Sequence, residues 1–263
     1  MTCTYNPAAD HDAIRRRDVF FDIPVLATLC GIVLVAAVFV LWFACRSLAG
    51  GIGLSAGLAR TDAWLQEDFF AAMAFVAVFY VPALGMMWRA ARRFTERPFA
   101  WFFRRVSLLN VVLGLAAGAA IALLTIVFEN HLTAHYGVRF DANDLEKAIS
   151  PDNAVEFAGG ILVVALFAPF AEELYFRGFL LRWLRTRYGS GLAVLLSAVV
   201  FALLHGFMLV HPGAPGWIET GEIFVAGLVM GALVVQSGSL WPSYALHAGF
   251  NAAVVSGIYL WPS

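Results

Sequence analysis

Charge is what this chain has least of. Only 13% of its residues are charged and 61% are hydrophobic, whereas soluble domains run nearer ~25% charged and ~45–50% apolar. That shortage excludes an ordinary soluble fold and points to an integral membrane protein. Lysine is almost missing: Lys147 stands alone beside sixteen arginines, and with abundant alanine this reads as a bacterial chain from a GC-rich genome. Cysteine is scarce as well. Cys3, Cys30 and Cys45 show neither paired nor metal-ligand spacing, which excludes a disulfide framework. No basic tail is present, so no nucleic-acid partner is expected. No cleavable leader is read either, because the 23–45 run is too long and lacks a clean small-residue cleavage site. Also absent are a His-Glu-x-x-His helix and a Ser or Cys at a nucleophile elbow, which sets aside standard zincin and serine-hydrolase chemistry.

Long apolar runs are there in plenty. They occupy 23–45, 69–88, 106–128, a stretch from about 157, then 192–210, 217–236 and 240–261. About 20 apolar residues cross ~30 Å of hydrocarbon, so the expected fold is an all-α, polytopic membrane bundle of about seven transmembrane helices. It divides into an N-terminal three-helix region, 1–153, and a region of about four helices, 154–263. Arginine placement sets the orientation. With the N-terminus cytoplasmic, thirteen basic residues (15–17, six within 89–105, and Arg177, Arg182, Arg185 and Arg187) face inward, against four outside. That is a positive-inside bias, and it places the chain as a multi-pass protein of a bacterial inner membrane.

Smaller signals fill in the helices. Gly114 with Gly118, and Gly227 with Gly231, have the four-residue spacing that lets helices approach closely. Pro169 removes a backbone hydrogen bond, which should free the Ala165 carbonyl, and predicts a kink. Asn143-Asp144-Leu145-Glu146 resembles a capping box opening a short surface helix. Glu219 and Glu222 read as interfacial caps of the sixth helix, favoured there by its positive end. His131 and His135 are i,i+4 but have no third ligand nearby, so they read as ordinary loop residues.

Three polar clusters interrupt the apolar helices of the last third. Ala171–Gly178 reads Ala-Glu-Glu-Leu-Tyr-Phe-Arg-Gly and closes an uncharged run. One unpaired charge in hydrocarbon costs about 2.5–3.5 kcal/mol on insertion scales, so three charges within six residues form a functional-site hypothesis. Glu173 and Arg177, four apart, can pair on one helix face. Glu172 lies ~100° away around the helix, so the two carboxylates have different jobs. The second cluster is Phe201 with His205, and the third is His247 with Asn251, each pair sharing a face. Taken singly, each is compatible with interhelical hydrogen bonding. Together, two acids, two imidazoles and an amide suit addition of water to a carbonyl, supplying a general base and oxyanion donors. Two histidines and a glutamate also match a catalytic zinc set.

Glu-Glu-x-x-x-Arg at 172–177, Phe-x-x-x-His at 201–205 and His-x-x-x-Asn at 247–251, in that order, resemble the CPBP (CAAX protease and bacteriocin-processing, or Abi) family of intramembrane proteases, over roughly 157–257. The resemblance implies that 154–263 is the catalytic core of a membrane endopeptidase, with a water-filled cavity opening to the cytoplasm. It implies that Glu172 and His205 activate the water, that His247 and Asn251 stabilise the oxyanion, and that Glu173 and Arg177 form a supporting ion pair. It leaves the cofactor open. Zinc, if used, would be held by Glu172, His205 and His247, whereas asparagine rather than an acid at 251 favours a metal-free site. The expected partners are membrane-anchored peptides or small membrane proteins, and the bilayer itself; the oligomeric state is not indicated. Two other classes stay open: a non-catalytic immunity or scaffold protein, and a proton-coupled transporter, which would need inverted repeats that the chain does not show. One geometric question also stands. His205 lies about fifteen residues into its helix and His247 only about seven past a hairpin, so unequal helix lengths or kinks must bring them level.

Overall fold

A computed structural model describes residues 69–92, 98–140, 150–207, 211 and 213–260. The 23–45 run and the 143–146 capping box lie outside the described residues. Within them all regular secondary structure is helical: α1 Phe69–Ala91, α2 Pro98–Phe102, α3 Leu108–Tyr136, α4 Ala154–Gly160, α5 Ala168–Glu173, α6 Leu181–His205, α7 Ala214–Ser237 and α8 Trp241–Leu260. Two π-helical segments, Ile161–Phe167 and Leu174–Leu180, join α4, α5 and α6 into one continuous run. Leu108–Tyr136, Ala154–His205 and Ala214–Ser237 are long and apolar enough to cross a membrane. Among the described residues this is an all-helical, multi-pass membrane protein. The helix from 108 continues past residue 128 to Tyr136, so His131 and His135 sit on its last turns rather than in a loop, with rings stacked 4.2 Å apart.

The ends of these helices are written in short polar residues. Ser107 caps α3 by accepting from the Asn110 amide at 3.2 Å. Asn153 caps α4 by accepting from the amides of Val155 and Glu156, while the Glu156 carboxylate reaches back to the Asp152 amide at 2.8 Å. Each device satisfies amide groups that have no partner inside the helix. Glu219 and Glu222 lie past the first turn of α7 and do not cap it. Glu219 instead meets His211 at 2.6 Å, and Glu222 meets Glu129 of α3.

The long run 154–205 reverses direction at Gly189, whose φ of 74° lies outside the helical region. Only glycine adopts that region without a steric penalty. Contacts then step outward from the reversal: Ser197 to the Phe176 carbonyl, the Phe176 ring to Phe201, and Glu172 to His205. The segments 154–188 and 190–205 are thus an antiparallel helical hairpin. Helix α7 packs on the second limb through Gly227 and Gly231, where an added Cβ would stand 3.1 Å from Ala198 and 3.0 Å from Val194.

Helices α3 and α8 cross closely and run parallel. A Cβ at Gly118 would lie 1.9 Å from the Leu246 carbonyl oxygen, and one at Gly249 would lie 2.2 Å from that of Leu115. Helix α8 runs antiparallel to the first limb of the hairpin, with Val255 near Gly160, Asn251 on Val164 and Ser243 on Glu173. Helix α1 runs parallel to that limb, from Phe69 beside Gly159 and Gly160 to Tyr80 beside Phe167 and Glu172. The aromatic core, with Phe102, Phe179 and Phe201 fully buried, lies between the hairpin, α2 and the α7–α8 turn.

These contacts also bring the histidines level. The Leu240 amide donates to the Phe102 carbonyl at 2.9 Å, Ser239 donates to the Arg104 carbonyl at 2.8 Å, and Arg182 reaches the Trp101 carbonyl at 3.5 Å. The α7–α8 turn therefore lies level with Arg182, about two helical turns short of Gly189. At ~1.5 Å per residue, Glu173 stands ~13 Å above Arg182 and His247 ~10 Å above Leu240, while Glu172 and His205 stand ~25 and ~24 Å from the reversal. Unequal helix lengths, not a distortion of α8, make the two imidazoles meet.

Candidate active site

Pro169 and the π-helical turn before it shape the first wall of the site. The Ala168 amide bonds five residues back, to the Val163 carbonyl, instead of four. Continued in that register, residue 169 would bond the Val164 carbonyl, and proline has no N–H to do so. The Asn251 amide fills the gap, donating to Val164 O at 2.9 Å. Asn251 thus ties α8 to the first limb and commits one of its two N–H donors there. A second π-helical segment follows Glu173 and sets Leu174–Leu180, all buried, against the second limb.

Glu172 and Glu173 are neighbours in sequence and opposites in setting. Glu173 is sealed from the surface, as is Arg177. Its Oε1 accepts from Arg177 Nη1 at 2.8 Å and from His247 Nδ1 at 3.1 Å, and its Oε2 accepts from the Ser243 hydroxyl. The Arg177 guanidinium lies over the Phe201 ring at 4.1 Å and reaches the Gly227 carbonyl at 3.5 Å. One buried ion pair therefore binds the hairpin to α7 and α8.

Glu172 faces the other way and retains some exposure. Its Oε1 accepts from the Tyr80 hydroxyl of α1. Its Oε2 lies 3.6 Å from His247 Nε2 and 3.9 Å from His205 Nε2. Both imidazoles are oriented from behind: His205 Nδ1 donates to the Phe201 carbonyl at 2.8 Å, and His247 Nδ1 donates to Glu173. This leaves each Nε2 directed at Glu172. The Phe201 ring stands edge-on to both imidazoles, its centroid 4.5 Å from that of His205 and 5.7 Å from that of His247. His205 is 24% exposed and Glu172 13%, against 8% for His247 and none for Glu173. Exposure thus rises from the ion pair toward the carboxylate–imidazole pair, the order required if water enters from that side.

Two side chains in this arrangement carry no sequence motif. Ser243 precedes His247 by four residues, so helical periodicity alone places it on the same face. Tyr80 is one aromatic residue in an apolar run, with no signal to distinguish it. As for zinc, bonds of ~2.0–2.1 Å set tetrahedral ligands ~3.3 Å apart. The Glu172 and imidazole donors stand wider than that, and among the described residues no group of three His, Cys, Asp or Glu side chains is arranged to hold a metal ion.

The arrangement brings a carboxylate and two imidazoles from three helices to one point, backed by a dry ion pair. The family model described as type II CAAX prenyl endopeptidase Rce1-like matches residues 154–253, the stretch that carries all of these motifs. Residues 154–253 belong to the CPBP (CAAX protease) family. No curated protein and no solved structure was found to match the chain. At family level, CPBP membership makes this a CAAX-protease-like intramembrane endopeptidase segment. Tyr80, which completes the surroundings of Glu172, lies outside the CPBP match.

Proposed function

We propose that this chain is an intramembrane endopeptidase of a bacterial inner membrane, cutting membrane-anchored peptides or small membrane proteins with an activated water, and that 154–263 is its catalytic core. The observation that carries this is the position of Glu172 Oε2, within 4 Å of both imidazole Nε2 atoms and partly exposed. A water molecule on Glu172 and His205 gives up its proton to that pair as its oxygen attacks the scissile carbonyl carbon. His247, donating from Nε2 in its imidazolium form, and the second amide N–H of Asn251 stabilise the oxyanion, an effect worth about 2.7–4 kcal/mol per donor. As the C–N bond breaks, the proton held by Glu172 or His205 passes to the departing amine. Glu173 and Arg177 hold the helix and the His247 ring in register. The chain crosses the membrane about seven times with a cytoplasmic N-terminus, so the arginine-bearing end of the hairpin faces the cytoplasm.

Purified protein is tested against a panel of membrane-anchored peptides, with Glu172→Ala, His205→Ala and His247→Ala as variants. Loss of the base lowers kcat by roughly 10²–10⁴-fold, and loss of His247 by about 10²–10³-fold. A chelator leaves activity unchanged in the metal-free mechanism. Loss with chelator and recovery with zinc would make the enzyme a metalloprotease. Wild-type cleavage by Glu172→Ala and His205→Ala would overturn the assignment.

A further inference from the structure

We propose that Tyr80 is a positioning residue for Glu172, so that the reaction site is completed by a helix outside the stretch that matches the family model. The inference rests on the protease reading above and assigns a role in it to the N-terminal region. The Tyr80 hydroxyl donates to Glu172 Oε1, while Oε2 is the oxygen that faces both imidazoles. The two oxygens of one carboxylate are thereby made different.

A free glutamate has no such distinction. Its terminal torsion is broad and roughly two-fold, so either oxygen can present itself, at any of a range of angles. A phenol donating to an ionised carboxylate makes a charge-assisted bond, stronger than one between neutral groups. It pins Oε1 and leaves Oε2 pointed at His205 and His247. The phenol is itself held in place. Its ring meets Phe167 edge-on at 6.4 Å, on the same helical run and little more than one turn before Glu172. At the N-terminal end of α1, Phe69 and Met73 are buried against Val163 and Val164. Helix α1 is therefore registered to the limb at two points, and the hydroxyl arrives at the carboxylate from a fixed direction.

Tyr80→Phe removes the hydroxyl and keeps the ring. The expected result is a kcat about tenfold lower, with KM within about twofold of wild type, since orientation acts on the reacting geometry more than on substrate binding. A packing role alone would leave kcat intact. Thermal unfolding of Tyr80→Phe, Glu172→Gln and the double variant gives a readout that needs no substrate. The two substitutions are expected to be non-additive, as for residues in contact. Wild-type kcat in Tyr80→Phe, beside an inactive Glu172→Ala, would overturn the role of Tyr80 and leave the protease reading standing. If Glu172→Ala cleaves like wild type, the protease reading falls and the role of Tyr80 with it. If no peptide is cut, additive thermal shifts overturn the contact and coupled shifts support it.

Discussion

Adjacent carboxylates with opposite surroundings divide the labour at the residue scale. Glu173 and Arg177 are both fully buried, and every hydrogen bond to Glu173 comes from the packed interior. An ion pair in such a place contributes little net stability compared with an apolar pair, but removing one partner strands a charge at a cost of about 3–5 kcal/mol. Arg177→Ala is therefore expected to lower thermal stability in detergent by an amount of that order. Arg177→Lys should not restore it, because only the planar guanidinium can pair with Glu173, lie on Phe201 and reach Gly227 together. Thermal unfolding of the two variants, monitored by helical circular dichroism, checks this. A wild-type melting temperature for Arg177→Lys would show that charge alone suffices. The pattern Glu-x-x-x-Arg made the pair itself legible in the sequence, since four residues is one helical turn. Its partners Ser243, Phe201 and Gly227 come from other helices, and no local spacing predicts that they meet the pair.

Small residues decide the geometry at the element scale. The parallel crossing of α3 and α8 brings backbone against backbone at Gly118 and Gly249, leaving no volume for a side chain. Helix α8 carries Ser243, His247 and Asn251, so this crossing sets how far the imidazole projects toward Glu172. Gly118→Val and Gly249→Val are each expected to destabilise by ~3 kcal/mol or more, since overpacking costs typically 1–3 kcal/mol even where neighbours can shift and the obstructing atoms here are backbone. Gly257→Ala is the control: an added Cβ there meets nothing within 4 Å, and alanine favours a helix over glycine by about 1 kcal/mol. Yield of monodisperse protein after extraction compares the three. Normal yield for both valine variants would mean that the helices can separate. The sequence displayed Gly114 and Gly118 at the right spacing. It did not disclose that α8 is the partner, nor that the two run parallel.

Direction alternates among the described helices. Helix α1, the first limb of the hairpin and α7 run one way; α3, the second limb and α8 run the other. Successive membrane crossings must alternate in this manner, and in the proposed orientation the arginine-rich end is the cytoplasmic one. With Cys3, Cys30 and Cys45 replaced by serine, single cysteines at Tyr136 and Tyr188, both exposed, report the outcome. A membrane-impermeant maleimide added to intact spheroplasts should label Tyr136→Cys, while Tyr188→Cys should react only after the membrane is opened. Labelling of both from one side would overturn the topology. The arginine bias is legible in the linear chain because it needs only a count of charges between apolar runs. The depth of the α7–α8 turn is not, because it is fixed by hydrogen bonds to α2.

The sequence by itself determined the solvent of this protein, its helical character and its polar positions. Those follow from composition, from run length set by bilayer thickness, and from the cost of placing charge in hydrocarbon. Glu172, Glu173, Arg177, His205, His247 and Asn251 all stand out against an apolar background for that reason. Only the tertiary structure decided which of them face one another. It turned one oxygen of Glu172 toward Tyr80 and the other toward two histidines, and it set Asn251 on the carbonyl that Pro169 leaves unbonded. It also levelled helices of unequal length through a turn packed against α2. Those choices depend on backbone approach and hydrogen-bond pairing between segments distant in sequence, which local periodicity does not encode.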